Sequence, residues 1–414
     1  MIDVQIVRDN PELVKEKVKQ KGYSVDIDKF LNLDSDRKEL LLKVEDLRKQ
    51  RNEIAAKMKG GKPEQSLIDQ GKEIKIQLAE QEQYLEKTEI EWKALLESIP
   101  NLHFDDVPVG GEDAFVEIES TGIVEGSAED HLSFALNKNW IDFDRGAKVA
   151  GAKFYFLKGD LALLEMALTQ FVTNLVVSKG FLFMTVPNMV NSKTATGTGF
   201  APRSSEQSDE YYIENEDLSL IATAEMPLTG YYADEILDEK DLPIFMLGYS
   251  PCYRKEAGTY GKHNRGLFRV HQFNKLEMYA FCTEDQSEKV HEQLLVIEKE
   301  IWDSLGVPYR VINIPSGDLG APAAKKYDIE YWSKADGKYR ELTSCSNCTD
   351  FQTRNLNIKY RTKDGSLHYA HSLNGTAASL ARTLIAIIEN YQTDDGNLRV
   401  PEVLRPYLNG REIL

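Results

Sequence analysis

The feature that most limits what this chain can fold into is a pair of apolar seams at heptad spacing, separated by a glycine- and proline-containing break. Leu40, Val44, Leu47, Arg51, Ile54 and Met58 step by alternating fours and threes, with Arg51 as one polar knob. Lys59-Gly60-Gly61-Lys62-Pro63 interrupts the seam, which resumes as Ile74, Leu78, Gln81, Leu85, Thr88, Trp92, Leu95 and Ile99 until Pro100. Two helices joined by so short a turn must fold back into an antiparallel hairpin. The first, capped by Asp34 or Ser35 and ending at Lys59, is expected to be roughly 40 Å long at 1.5 Å per residue. Ahead of it, Asp9-Asn10-Pro11 opens a shorter amphipathic helix that Gly22 ends.

Heptads most often serve dimerisation, but the charge along this hairpin argues for another use. Between Arg48 and Lys75 there are eight basic residues (Arg48, Lys49, Arg51, Lys57, Lys59, Lys62, Lys72, Lys75) against four acidic ones. The tip is net positive on a chain of net charge −17. That overall charge argues against a protein that coats nucleic acid non-specifically, yet a local basic tip on a stiff rod suits a phosphate backbone. The 414 residues have room for two or three domains, and 42% hydrophobic with 28% charged residues reads as globular. No apolar run is expected to span a membrane, and the polar start MIDVQIVRDNPE is unlike a signal peptide. Four cysteines without a framework spacing point to reducing conditions and hence the cytoplasm.

Chemistry concentrates in three later stretches. In SPCYRKEAGTYGKHNRGLFRVHQFNKLE (250–277), a two-residue period gives two extended runs joined by a polar loop. Cys252, Arg254 and Glu256 share a face on the first. On the second, Arg269, His271, Phe273, Lys275 and Glu277 share one face and Val270, Leu276 and Met278 the other. Lys262, His263 and Arg265 make the loop basic, suited to gripping and releasing a polyphosphate. The second stretch runs from Arg340 to Gln352 and contains Cys345-x-x-Cys348. Without a second pair at a workable spacing, no zinc is expected there. The third, Ser372 to Arg382, is rich in small residues and runs into an apolar helix from Thr383. Thr196-Gly197-Thr198-Gly199 lacks the frame of a Rossmann or P-loop site. Leu161–Ser178 reads as an amphipathic helix and 181–187 as a short apolar strand; 101–114 reads as a linker between domains at 1–112 and 113–414.

Arg254-Lys255-Glu256, the long basic loop and Arg269-Val270-His271-Gln272-Phe273 resemble motif 2 of the class II aminoacyl-tRNA synthetases, and the surrounding words resemble the bacterial-type seryl-tRNA synthetases. The helix and strand at 161–187 resemble motif 1, and Ser372–Arg382 resembles motif 3. The resemblance runs over nearly the whole chain. It implies an α+β fold: a six- to seven-stranded antiparallel sheet flanked by helices, an N-terminal coiled-coil arm over about 34–99, and a homodimer. It implies a serine–tRNA ligase that makes seryl-adenylate from L-serine and ATP with Mg2+, then charges tRNA(Ser), and tRNA(Sec) where the host has one.

Residue by residue, the resemblance implies that Arg254 and Arg382 grip the α-phosphate and are the catalytic pair. Lys255, Glu256, Val270, Phe273, Glu341, Leu342, Thr343 and Ser344 complete the ATP site, with Phe273 under adenine, Glu256 on its amino group, and Glu341 and Ser344 toward magnesium. Thr223, Ala224 and Glu225 would hold the serine amino group, and Glu277 with Thr376 the serine hydroxyl. Arg48, Arg51, Lys57, Lys59 and Lys62 would meet tRNA. The chain departs from the family pattern at Thr343, Asn355, Ala378 and Ala381. A carrier-protein-loading relative would lack the arm, and a non-catalytic relative would lack Arg254, Glu256, Glu341 or Arg382.

Overall fold

The computed structural model describes residues 1–59, 64–123, 126–199, 210–256 and 266–414. Lys62 and the loop residues Lys262, His263 and Arg265 lie outside the described residues. The chain divides into two compact units, Met1–Pro100 and Asn101–Leu414. The stretch expected to be a linker is built into the second: Asn101 donates from Nδ2 to the carbonyls of Pro322 and Cys348, and the Phe104 amide to that of Ala324.

The first unit contains α1 (Val4–Asp9), α2 (Pro11–Gln20), α3 (Ile27–Met58) and α4 (Gln65–Ser98). The last two pair antiparallel, because Val44, Leu47, Leu78 and Leu85 bury one shared seam. Arg48 reaches Glu82 at 2.7 Å and Arg37 reaches Glu89 at 3.1 Å across it. The long helix starts earlier than expected, at Ile27, where the Asp26 side chain accepts from the Lys29 amide. Asp34 is no cap. It is buried within the helix, where it holds Arg8 at 2.8 Å and Lys38 at 3.0 Å and accepts from Trp92 Nε1.

The second unit begins with β1 (Val116–Ser120), α5 (His131–Asn137), β2 (Ile141–Asp142), α6 (Phe143–Ala150) and β3 (Phe156–Leu157). Then come α7 (Gly159–Ser178), β4 (Leu182–Thr185), β5 (Met189–Val190), α8 (Ser192–Gly197), β6 (Ser219–Leu220), α9 (Glu225–Gly230) and β7 (Ile236–Asp238). The central strands β8 (Ile244–Tyr253) and β9 (Gln272–Cys282) are followed by α10 (Ser287–Leu305), β10 (Tyr309–Asn313), β11 (Lys325–Ser333) and β12 (Lys338–Asn347). The chain ends through α11 (Phe351–Asn355), β13 (Lys359–Arg361), β14 (Leu367–Tyr369), β15 (His371–Ser379) and α12 (Leu380–Tyr391).

Eight strands form one sheet in the order β1-β10-β11-β12-β15-β9-β8-β4. That exceeds the six or seven expected, and the edge pair β4–β8 is parallel while the other pairs are antiparallel. Helices α7, α10 and α12 cover one face, where Leu164, Leu168, Leu294, Ile301, Leu384 and Ile387 join Leu276, Met278, Leu373 and Ala377 in a single apolar core. By length and composition alone α7 could cross a membrane, which corrects the sequence expectation. Its packing is that of a core helix: Leu161, Leu164, Leu168, Phe171, Val172 and Val176 are all buried.

Candidate active site

The opposite face of the sheet carries a cavity of about 140 Å³ lined by side chains of β9, β12, β15 and the first turn of α12, together with Arg254 and Glu256 just beyond β8. Alternation along β9 sends Phe273 and Lys275 into it, puts Glu277 on the same side of the sheet behind Lys275 and Thr376, and sends Leu276 and Met278 into the core. The same alternation does not reach back to Arg269 and His271, which precede the strand. Arg269 instead folds over to donate to Glu256 Oε2 at 2.7 Å, and His271 Nδ1 lies 2.9 Å from the Arg254 carbonyl oxygen.

Two β-bulges place the remaining groups. A period of two would send Glu341 and Ser344, three residues apart, to opposite faces of β12. The register shifts at Leu342, so that Glu330 faces Glu341 and Ile329 faces Thr343. The bulge brings Glu341 and Ser344 onto the cavity side together. On β15 a second bulge lies between Thr376, opposite Glu277, and Ala378, opposite Leu276. Thr376 and Ser379 therefore both line the cavity.

Beyond one end of the cavity, adjoining its lining residues Lys275 and Thr376, lies a buried acid cluster. Glu277 pairs with Lys275 at 2.5 Å, both nearly inaccessible, and Thr376 Oγ1 stands 3.5 Å from Glu277 Oε2. Burial pushes the Glu277 carboxyl up, against the pull of Lys275. Glu225 is buried as well, and burial followed by the charge of Glu277 pushes it up to about 7. Gln352 Nε2 and Asn374 Nδ2 donate to Glu225 Oε1 at 2.7 and 3.0 Å. Gln352 Oε1 in turn accepts from Ser372 Oγ and the Tyr279 hydroxyl, so the carboxylate is held by a connected polar network. Thr223 accepts from the Glu225 amide at 3.2 Å, which fixes the entry to α9, and Ala224 is buried beside it.

The other end is more open and strongly charged. Arg382, in the first turn of α12, donates to Glu341 at 2.8 Å. Burial alone would raise the Glu341 carboxyl, but Arg382, Lys326 and Arg254 outweigh it and hold the group well below the usual carboxylate range. The Arg254 guanidinium lies 5.2 Å from the centre of the Phe273 ring. Leu267, Phe268, Val270, Leu342 and Ala381 complete the lining.

Two residues expected at the ATP site face elsewhere. Lys255 Nζ stands over the rings of Tyr211 and Tyr212, at 5.8 and 5.5 Å. Thr343 is wholly buried on the helix side of the sheet, where its hydroxyl accepts from Trp302 Nε1 at 3.3 Å. Conversely, Lys275, Gln352 and Asn374 carried no expected role. Alternation on β15 through Ser372, Asn374 and Thr376 was the available signal for Asn374; nothing local in the sequence marks Gln352, which reaches the site from α11. On the arm, Arg48 is paired to Glu82, and Arg51, Lys57 and Lys59 are exposed. Asn355 donates to the Gly197 carbonyl at 2.8 Å.

The sheet, with bulges in β12 and β15 and two arginines at the cavity, is of the class II tRNA synthetase kind, and residues 209–391 match the model of the tRNA synthetase class II core domain (G, H, P, S and T). Residues 1–103 match the seryl-tRNA synthetase N-terminal domain. Serine–tRNA ligase of Dictyoglomus turgidum is 43% identical, the match covering 100% of this chain and 99% of that protein. That of Treponema denticola is 41% identical over 98% of each. The structure of seryl-tRNA synthetase from Pyrococcus horikoshii complexed with ATP has a TM-score of 0.91 at 38% identity, covering 100% of this chain and 99% of that one. The cytoplasmic enzyme of Naegleria fowleri in complex with AMP has a TM-score of 0.87 at 31% identity, covering 100% and 98%. The chain belongs to the seryl-tRNA synthetase family.

Proposed function

We propose that this chain activates L-serine with ATP to give seryl-adenylate and pyrophosphate, and then transfers the seryl group to tRNA(Ser). The observation that carries the reading is an arginine-lined cavity that adjoins a buried carboxylate cluster through Lys275 and Thr376. The serine carboxylate attacks the α-phosphorus, so two anions must approach each other. Catalysis is then mostly positioning and charge neutralisation, with Arg254 and Arg382 as the phosphate grips. Phe273 is the platform for adenine, and Glu256, held by Arg269, is the acceptor for its amino group. Glu225 takes the serine ammonium and Glu277 with Thr376 the hydroxyl. Alanine would leave those buried polar groups unpaired and is rejected for that reason.

Glu341 and Ser344 fit a hard divalent cation, since the carboxylate is kept ionised and the hydroxyl shares its face. Magnesium bound there would neutralise charge on the triphosphate. Thr343 contributes to this site through its strand rather than its hydroxyl.

The first unit is the tRNA-binding domain, with Arg51, Lys57 and Lys59 on the arm supplying phosphate contacts. The protein acts as a homodimer, a reading supported by the apolar outer surface of α7 and β4: Met166 is 69% exposed and Leu182, on an edge strand, 62%. Four free, buried cysteines suit the reducing cytoplasm.

The test is amino-acid-dependent ATP–pyrophosphate exchange without tRNA, across all twenty amino acids with magnesium. Exchange with serine alone is expected. Exchange with another amino acid would overturn the assignment of Glu277 and Thr376. Deleting residues 36–97 is expected to leave exchange intact and abolish charging; intact charging would remove the arm from the reading.

A further inference from the structure

Behind the cavity, on the helix side of the sheet, sits a carboxyl that none of the above uses. Glu298 of α10 has no exposed surface, and neither of its carboxylate oxygens has a hydrogen-bond partner among the described residues. A buried polar group left in that condition is destabilising, so its retention calls for a physical reason. Its surroundings supply one. A methyl group on Gly375 would stand 3.0 Å from Glu298 Oε1, 3.2 Å from Cβ of Cys345 and 3.3 Å from Cε of Met278. The carboxyl thus fills the notch that the missing side chain leaves in β15. One turn further along the same face of α10, Trp302 donates its indole N–H to Thr343 Oγ1.

Both contacts fall at the positions that organise the site. Gly375 lies between Asn374, which holds Glu225, and Thr376, which faces Glu277. Thr343 lies between the bulge residue Leu342 and Ser344, in the stretch that brings Glu341 and Ser344 to one side. The hydroxyl of Thr343 accepts from Trp302 and still has a proton to donate, and a carboxyl one helical turn from that indole is its natural acceptor.

We infer that Glu298 is a positioning residue which, through its seat against Gly375 and a hydrogen bond with Thr343, holds the two bulged strands in the arrangement that the serine and ATP ends require. This rests on the proposed function. Burial pushes the Glu298 carboxyl well up, with Glu277 and Asp328 adding to that and Thr343 and Lys275 opposing it. Burial thus favours the neutral form, and glutamine, which keeps the shape and the hydrogen-bonding groups, is the conservative replacement, whereas leucine is not.

The experiment is serine-dependent ATP–pyrophosphate exchange by the wild type and by Glu298→Gln, Glu298→Leu and Thr343→Val, with the melting temperature of each. Glu298→Gln is expected to keep both KM values within about threefold. Glu298→Leu is expected to stay folded and melt close to the wild-type temperature, because burial of leucine offsets the loss of the Thr343 bond, yet to raise KM for serine and ATP about tenfold. Thr343→Val is expected to raise KM for ATP more than for serine. A purely packing role predicts altered melting with unaltered KM values. A folded Glu298→Leu protein with wild-type KM values overturns the inference, as does a Glu298→Gln protein as impaired as the leucine variant. No exchange by the wild type would instead overturn the proposed function, and this inference with it.

Discussion

The two ends of the site handle carboxylates in opposite ways. At the serine end, Glu225 and Glu277 are buried together, and burial raises both against only partial compensation. At the phosphate end, Glu341 is 43% exposed at its side chain, with Arg382 2.8 Å away, and is held ionised. The difference suits the ligand proposed for each end. A cation pulls buried carboxylates back toward their charged form, so the serine ammonium proposed to bind there would find its strongest complement beside Glu225 and Glu277. A polyanion would need the reverse, arginines beside an ionised carboxylate able to share a metal.

The largest expected effect breaks the phosphate end alone. Arg382→Ala should lower pyrophosphate exchange by about 10²–10³-fold, since it removes one fixed donor to developing charge. Serine should still protect the variant against thermal unfolding; loss of that protection would mean the two ends are not separable. Next, Glu277→Gln should erode discrimination between serine and alanine by about 10²-fold while leaving KM for ATP within a small factor. Competing exchange rates read this directly.

A third prediction turns the contrast into a pH measurement. The folded value of Glu225, about 7, lies above the unfolded value of about 4.3. Its contribution to stability is therefore fully present below about pH 4 and is lost as pH rises through about 7. Glu341 runs the other way: its folded value is depressed, so its contribution is present above the unfolded value and is lost as pH falls. Glu225→Gln should accordingly gain roughly 3–4 kcal/mol relative to wild type at pH 8 and little at pH 4, as denaturant titrations would register. The same variant should lose most serine affinity. The smallest effect on the cavity comes from the arm. Lys57→Glu with Lys59→Glu should leave exchange unchanged, raise KM for tRNA about tenfold and flatten the dependence of charging on salt.

Much of this was legible before folding was considered. The heptad seam specified the arm because Val44, Leu47, Leu78 and Leu85 can be buried only if two long helices pair. Its start was misjudged because Asp34 looks like a cap in isolation, whereas its buried pairing with Arg8 depends on a helix packed against it from elsewhere in the unit. Phe273, Lys275 and Glu277 were readable as one face because a strand has a period of two. Arg269 and His271 broke that reading, since the strand begins only at Gln272.

What the sequence determined by itself, then, is whatever local periodicity and characteristic spacing can carry: the arm, the apolar and polar faces of the strands, and the candidate arginines and carboxylates. Only the tertiary structure decided which of those groups meet. The bulges at Leu342 and Ala377 that turn Glu341 and Thr376 inward, the turning of Thr343 away from the cavity, and the hold of Gln352 and Asn374 on Glu225 all join residues far apart in sequence. The physical reason is that burial, hydrogen-bond partners and the field at each carboxyl are set by neighbours across the sheet, and those neighbours exist only once the strands have paired.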